Sequence, residues 1–419
     1  MSLRVSIITP THNTKHIQEL YDSIKIQDFF EWIVVANGDV RFGDFSEEIT
    51  KDKRVHILDY PEGKTQFVGA LKRFGFTHAA GDILLEVDHD DVLSGVAIRR
   101  VVEAFEAHPE IGFVYSDCVR FRVSENGEWV SESRFMDGYG WEYGVDDDTR
   151  LEYPITFNPH PSAASRIWFA PDHLRAWRAA SYNIAGGHNA AMRVLDDQDL
   201  MCRTYLVTDF HHIQEPLYYY RVTGDNTWIQ RNAEIQNNVM PIYEKYISDM
   251  MLAWSNRNGL LSVELGPGGT PTPGYLGIDL GDGHWKKADL NDRWPLEDNS
   301  VGVIMANDII EHLRDPIHTM KEMHRVLVHS GMSIIRVPST DGRGAFQDPT
   351  HVSYWNSNSF LYYTNCDQSR FIGTPVRFQE VFKFNCFPSQ YHQELNIPYV
   401  VAHLLALKEG PRPPGPIQI

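Results

Sequence analysis

The sequence is poor in the features that mark secreted, membrane-spanning or nucleic-acid-packaging proteins. Its 419 residues include four cysteines, Cys118, Cys202, Cys366 and Cys386, with no CxxC pair. That spacing excludes a zinc knuckle and a disulfide framework and fits a reducing cytoplasm. No apolar run approaches the about 20 residues of a membrane span. The first ten residues, MSLRVSIITP, enter a strand-like segment without the apolar core of a signal peptide. Positive charge is scarce: 38 Lys and Arg stand against 56 Asp and Glu, a net charge of −18. Such an excess argues against a loose affinity for nucleic acid or anionic lipid. No short internal repeat is present.

What is there is a chain long enough for two domains of ordinary size. The acidic excess is uneven, with 24 basic and 39 acidic side chains in residues 1–250 against 14 and 17 in residues 251–419. Short apolar, β-branched runs at Val5 to Thr9, Trp32 to Val35, Val55 to Leu58 and Ile83 to Val87 read as buried strands. Helical spacing separates them, as in Phe67, Ala70, Leu71 and Phe74. Between Asp117 and Pro171 the pattern becomes aromatic, glycine-rich and acidic, which predicts mostly loops and a hairpin. Pro241 is expected to open a helix with Ile242, Tyr243, Tyr246, Ile247, Met250 and Trp254 on one face, closing at Asn258-Gly259. A second series of strands follows at Leu261 to Leu265, Tyr275 to Asp279, Val301 to Ala306 and Met332 to Val337. Its helix has Ile317, Met320, Met323 and Leu327 on the apolar side. The expected architecture is α/β in two domains, 1–255 and 256–419, with a poorly ordered tail, PRPPGP, from residue 411.

Asp88, Asp90 and Asp91 directly follow a buried strand, where ligands of α/β folds bind. Clustered carboxylates repel one another unless a cation neutralises them, and oxygen donors of this kind suit Mn²⁺ or Mg²⁺ shared with a diphosphate. An acidic turn that only caps the next helix is the competing reading.

The context of that cluster resembles the family 2 glycosyltransferases of GT-A fold over about residues 3–230. The similar blocks are Val5-Ser6-Ile7-Ile8-Thr9-Pro10-Thr11-His12-Asn13, Trp32 to Gly38, and Gly81-Asp82-Ile83 leading to Asp88-His89-Asp90-Asp91. Further on come Gly186-Gly187-His188-Asn189, Asp196-Asp197-Gln198-Asp199-Leu200, and Glu215-Pro216-Leu217-Tyr218-Tyr219-Tyr220-Arg221. The resemblance implies a Rossmann-like domain that binds a UDP-, GDP- or dTDP-sugar through Pro10, Thr11, Asn37, Asp39 and Asp88. It implies a metal at Asp88 and Asp90, acceptor-side contacts at Gly187, His188 and Asp196, and Asp197 as the base of an inverting displacement. Where many members carry a histidine after the Tyr-Arg segment, this chain has Thr223. His211 and His212 read as structural.

The segment Val263-Glu264-Leu265-Gly266-Pro267-Gly268-Gly269 is a strand running into a glycine turn, and Gly277-Ile278-Asp279 ends the next strand in an acid. With Ala288-Asp289-Leu290, Asn307-Asp308, Ile310-Glu311-His312-Leu313 and Arg325-Val326-Leu327, it resembles class I S-adenosylmethionine-dependent methyltransferases over about residues 260–340. The resemblance implies cofactor contacts at Glu264, Gly266, Gly268, Asp279 and Asp289, with Asp308 at the methyl-transfer cleft. Only ten residues separate Gly268 from Asp279, too few and too broken by Pro and Gly for the usual helix. His351 either deprotonates a sugar hydroxyl or bonds a backbone carbonyl. Tyr354, Trp355, Phe360, Tyr362 and Tyr363 either stack on sugars or pack in the core.

The expectation is therefore a cytoplasmic, metal-dependent inverting glycosyltransferase acting on a glycan, lipid-linked or protein hydroxyl. Its C-terminal domain O-methylates the sugar or serves as a non-catalytic acceptor-binding or scaffold module.

Overall fold

The computed structural model describes residues 3–132, 142–283 and 285–410. The PRPPGP tail lies outside the described residues, as does part of the loop region expected between Asp117 and Pro171. The chain divides into two compact units, Met1–Ile247 and Ser248–Ile419.

The first unit is built on one large mixed sheet. Its parallel part is made of β1 (Val5–Thr11), β2 (Glu31–Ala36), β3 (Val55–Asp59) and β4 (Ile83–Glu86), in the order β3-β2-β1-β4. The sheet continues through β5 (Val92–Leu93), β6 (Phe113–Val123), β7 (Trp129–Ser131), β10 (Arg175–Arg178) and β11 (Phe210–Arg221), reached as β4-β10-β6-β11-β5, with β7 on β6. A separate hairpin pairs β8 (Glu142–Val145) with β9 (Glu152–Ile155).

Helix α1 (Ile17–Ile24) buries Ile17, Leu20, Tyr21 and Ile24, one helical stripe, against Val5, Ile7, Trp32 and Val34 on one face of the sheet. Helix α2 (Val68–His78) sends Leu71 against Ile33 and Val35 on the other. Covered on both faces, β1, β2 and β4 can be near-continuous apolar runs. In the parallel pairing Thr11 at the carboxyl end of β1 lies beside Ala36 of β2, and Glu86 at the end of β4 lies beside Ile8.

The region expected as loops holds more order. Asp117 sits inside β6, fully buried, because His212 Nε2 lies 2.8 Å from its Oδ1 and the Thr156 N–H donates to the same oxygen at 2.7 Å. An acid in a buried strand is tolerable only with such partners.

Pro241 does not open its helix: α3 spans Asn232–Arg257 with Pro241 inside. The buried stripe already starts at Ile235 and Val239 and runs on through Ile242, Tyr243 and Tyr246, so packing of that face outweighs the proline penalty. The division between the units falls within this helix.

The second unit is a seven-stranded sheet of β12 (Leu261–Leu265), β13 (Leu276–Asp279), β14 (Lys286–Lys287), β15 (Val301–Asn307), β16 (Leu327–Pro338), β17 (Phe378–Cys386) and β18 (Tyr399–Ala406). The order is β14-β13-β12-β15-β16-β18-β17, parallel from β14 to β16 with β18 running against its neighbours. Helix α4 (Pro316–Val326) packs Met320 and Met323 into the core. Trp355, Phe360 and Tyr363 are core residues too, which leaves Tyr354 and Tyr362 as the exposed members of the aromatic run. As the short spacing predicts, no helix stands between β12 and β13.

Candidate active site

A cavity of about 600 Å³ opens at the carboxyl ends of β1, β2 and β4. It gathers residues far apart in sequence: Pro10 and Thr11 at the end of β1, Asn37 after β2, Asp88 and Asp90 after β4, and Asp196 and Asp197 at the start of the helix Asp196–Val207. Six Lys or Arg and six Asp line it. The wall is therefore balanced in a chain that is strongly acidic overall, and it can receive an anion.

The acid turn is held from behind. Tyr218 of β11 donates its hydroxyl to Asp91 Oδ2 at 2.7 Å and accepts the Asp88 N–H at 3.0 Å. The Arg221 N–H donates to Asp91 Oδ1 at 2.7 Å, and Arg221 Nε donates to the Asp90 carbonyl at 2.8 Å. Asp91 is thus an internal anchor, buried and pushed well above the usual carboxylate range by burial and by Asp90 and Asp88. Tyr218 and Arg221 act here as positioning residues for the acid turn.

Asp88 and Asp90 face the cavity without a cationic contact. Among the described residues, their ion-pair partners within 4 Å are imidazoles, His173 at 3.8 Å from Asp88 and His89 at 3.8 Å from Asp90. Burial lowers both rings to about 4, so they stay neutral. Burial, reinforced by Glu86 and Asp90 against Lys72, raises Asp88 to about 7. Two oxygen-rich groups with no resident counter-charge suit a hard divalent cation.

Beside them lies a buried polar cluster. Glu86, fully buried, accepts from Lys72 Nζ at 2.8 Å, with His188 Nε2 at 3.3 Å and Arg175 Nη1 at 3.7 Å. Burial alone would raise its carboxyl, but Lys72, His188 and Arg175 hold it well below the usual range. Arg175 Nη1 donates to Asp197 Oδ2 at 2.6 Å. Against the upward push of burial, Arg175 and Lys72 keep Asp197 low and ionised. Burial raises Asp196, with Asp197 next to it; Lys72 and His188 each approach it only to 3.8 Å. Lys72, Glu86, Arg175 and His173 were missed by sequence reasoning. The available signal was Glu86 itself, an acid inside an apolar strand, which demands a buried partner.

Three expected contacts fall elsewhere. His188 is fully buried, outside the cavity wall, with Nδ1 2.9 Å from the Tyr182 hydroxyl. Gly187, at φ +65, wraps the turn onto the Tyr182 ring, where a Cβ would come within 2.9 Å, so the glycines serve this packing and not a ligand. Asp39 is exposed and does not line the cavity, because the chain turns outward at Gly38 (φ +74). Asn37 does line it, but its amide is spent on the Thr65 backbone at 2.9 and 3.0 Å, fixing the facing loop. Neither His211 nor His212 reaches the cavity.

In the second unit the expected cofactor residues bind their own backbone. Asp279 Oδ2 accepts the Gly268 N–H at 2.9 Å and Oδ1 that of Gly281 at 2.8 Å. Glu264 Oε2 accepts the Thr272 N–H at 2.6 Å, closing the loop where a helix is missing. Gly266, at φ +56, lies under Ile309, where a Cβ would come within 2.4 Å of Cδ1, while Gly268 (φ +63) faces open space. Asp289 accepts from the Asn291 backbone and side-chain amides, both at 2.9 Å, and Asp308 pairs with Arg336 at 3.2 Å. His351 donates Nδ1–H to the Ala345 carbonyl at 3.0 Å and exposes 7% of its side chain, which shields it from a substrate hydroxyl.

Residues 6–172 match the model of glycosyl transferase family 2, and residues 277–335 match that of a methyltransferase domain. The second match begins beyond the glycine turn. A hyaluronan synthase of Pasteurella multocida is 21% identical over 257 residues, which is 60% of this chain and 24% of that protein. A chondroitin synthase of P. multocida strain Pm70 is 23% identical over 237 residues, 55% of this chain and 22% of that one. The chain thus spans about a quarter of the length of these curated relatives. Among solved structures, residues 1–349 of TarS from S. aureus in complex with UDP-GlcNAc align at 15% identity and a TM-score of 0.43, over 61% of this chain and 72% of that one. No described helix is long and apolar enough to cross a membrane.

Proposed function

We propose that this chain, which joins a family 2 glycosyltransferase domain to a methyltransferase domain, transfers a sugar from a UDP-, GDP- or dTDP-linked donor to a hydroxyl of a glycan, lipid-linked or protein acceptor, with inversion. The observation that carries the reading is the single cavity that brings Asp88, Asp90 and Asp197 together beside Lys72 and Arg175. Asp88 and Asp90 would hold Mn²⁺ or Mg²⁺, which when bound offsets the charge of the departing diphosphate. The cationic side chains of the wall, including Lys64 and Arg193, hold and orient the donor phosphates. Asp197 accepts the proton of the attacking hydroxyl through a carboxylate that Arg175 keeps ionised and in place. A cytoplasmic setting fits cysteines that are all free thiols.

For the second unit, O-methylation of the sugar or glycan from S-adenosylmethionine is the first reading, with the Gly266–Gly268 turn and Asp279 on the cofactor. The internal bonding of Glu264 and Asp279 favours a second reading, a non-catalytic acceptor-binding or scaffold module. Calorimetry of the full chain with S-adenosylmethionine separates the two. Heat and a raised melting temperature at millimolar cofactor support methylation, and their absence supports the module.

A further inference from the structure

The second unit holds a cluster that neither sugar transfer nor methyl transfer employs. Glu311 and His312 close the short turn Ile310–His312 after β15, and His351 comes from the segment after β16. One ligand atom from each of Glu311, His312 and His351 lies within 4.8 Å of the other two.

The two segments are fixed to each other through backbone. The Val352 and Ser353 N–H groups donate to the Glu311 carbonyl at 2.9 and 3.0 Å, and the Ser353 hydroxyl donates to the Ile310 carbonyl at 2.9 Å. The tautomers are fixed as well. His351 Nδ1 is 3.0 Å from the Ala345 carbonyl, and His312 Nδ1 is 3.2 Å from the Thr350 carbonyl and 3.1 Å from the Thr350 hydroxyl, whose own hydrogen goes to Asp348 Oδ1 at 2.7 Å. A carbonyl oxygen only accepts, so each Nδ1 carries the hydrogen and each Nε2 is left with its lone pair, the form a metal binds. His351 Nε2 stands 4.0 Å from Glu311 Oε1 and 4.0 Å from Asp348 Oδ2. Glu311 is 2% exposed, and its Oε2 has no hydrogen-bond partner. A buried carboxylate oxygen in that condition lacks what a cation would supply.

We propose that Glu311, His312 and His351 form a binding site for a divalent transition metal, Zn²⁺ by preference, with Asp348 as the closing ligand. Two imidazoles and a carboxylate are too nitrogen-rich for Mg²⁺ or Ca²⁺ and suit a first-row transition ion; the second carboxylate, Asp348, completes the four-ligand set that Zn²⁺ takes, which favours it over an open Fe²⁺ triad. Ligands about 2.1 Å from a tetrahedral ion stand closer together than 4.0 to 4.8 Å. Binding therefore draws the side chains inward, which the partly exposed His312 and Asp348 permit. The ion would pin the segment 345–353 to the carboxyl end of β15, where Asp308 also stands. With Asp348 displaced, it would offer one position to water or a sugar hydroxyl.

The test uses the full chain, stripped with chelator and titrated with Co²⁺ as a visible substitute for Zn²⁺. One Co²⁺ per chain should give a ligand-field band that Zn²⁺ abolishes. His312→Ala and His351→Gln should each weaken Co²⁺ binding by about a hundredfold. Asp88→Asn with Asp90→Asn should leave the band intact, so this result is independent of the sugar-transfer site. His312→Ala should melt like the parent protein without metal, which separates lost ligation from lost fold. Absence of a stoichiometric band in the parent chain, its survival in both histidine variants, or its loss in the Asp88 and Asp90 variant would overturn the proposal.

Discussion

The two units share a parallel α/β plan, and both place acids at the carboxyl ends of their strands, but they use those acids differently. In the first unit Asp88 and Asp90 face a cavity, their ion-pair partners among the described residues being neutral imidazoles, and Asp197 is aimed by Arg175. In the second, Glu264 and Asp279 accept hydrogen bonds from the loop they would be expected to offer to a cofactor. An acid placed by the fold is therefore not yet a site. What matters is whether its lone pairs are turned to a ligand or already taken by the chain.

The largest effect that would sharpen this contrast is on turnover. Replacing Asp88 and Asp90 together by Asn should lower sugar transfer by about a thousandfold, because electrostatic stabilisation of the leaving group is the term removed. Initial rates across a Mn²⁺ titration measure it, and a variant that excess metal restores fully would break the contrast.

Next comes the buried cluster. Glu86→Gln leaves Lys72 and Arg175 without their shared anion and should cost about 3–5 kcal/mol of stability at pH 7, read by urea unfolding. Because Glu86 is held below its usual value of 4.5 in the folded state, its contribution is complete above that pH and is lost as pH falls below it. The difference between the parent and Glu86→Gln should accordingly shrink on acidification, and an unchanged difference at pH 3 would count against the cluster.

A smaller effect probes the second unit. Asp279→Ala should weaken S-adenosylmethionine binding about tenfold or more if the carboxylate leaves its loop for the ribose, since a charged hydrogen bond contributes about 1.5–3 kcal/mol. Unaltered cofactor affinity would show that Asp279 serves the loop alone. Smallest of all, Asp39→Ala should change transfer and stability by less than about 0.5 kcal/mol, as expected of an exposed position outside the cavity.

Much of this fold was legible because buried parallel strands leave continuous apolar runs. Leu261–Leu265 is read to the residue, and the missing helix after Gly268 follows from spacing alone. Pro241 misled because local propensity favours a helix start there, while the stripe of Ile235, Val239 and Ile242 carries the helix through it. At the site, Asp88 and Asp90 could be named from their position after a strand, whereas Asp197, in the first turn of a helix, was named from the family resemblance. The fate of His188 could not, since its burial beside Glu86 and Tyr182 depends on contacts across more than one element. Lys72 and Arg175 escaped for the same reason. A cation on a helix or strand looks like any solvated one until its buried partner is known.

The proposed role of Asp197 is that of the base at a nucleotide-sugar site. Its most direct test compares the parent chain with Asp197→Asn across UDP-, GDP- and dTDP-sugars in Mn²⁺, following nucleoside diphosphate release and donor binding together. Release from one donor class is expected, lost by about two to four orders of magnitude in the variant while donor affinity stays within about twofold. Undiminished release in Asp197→Asn, or donor binding lost with it, would show that Asp197 is not the base.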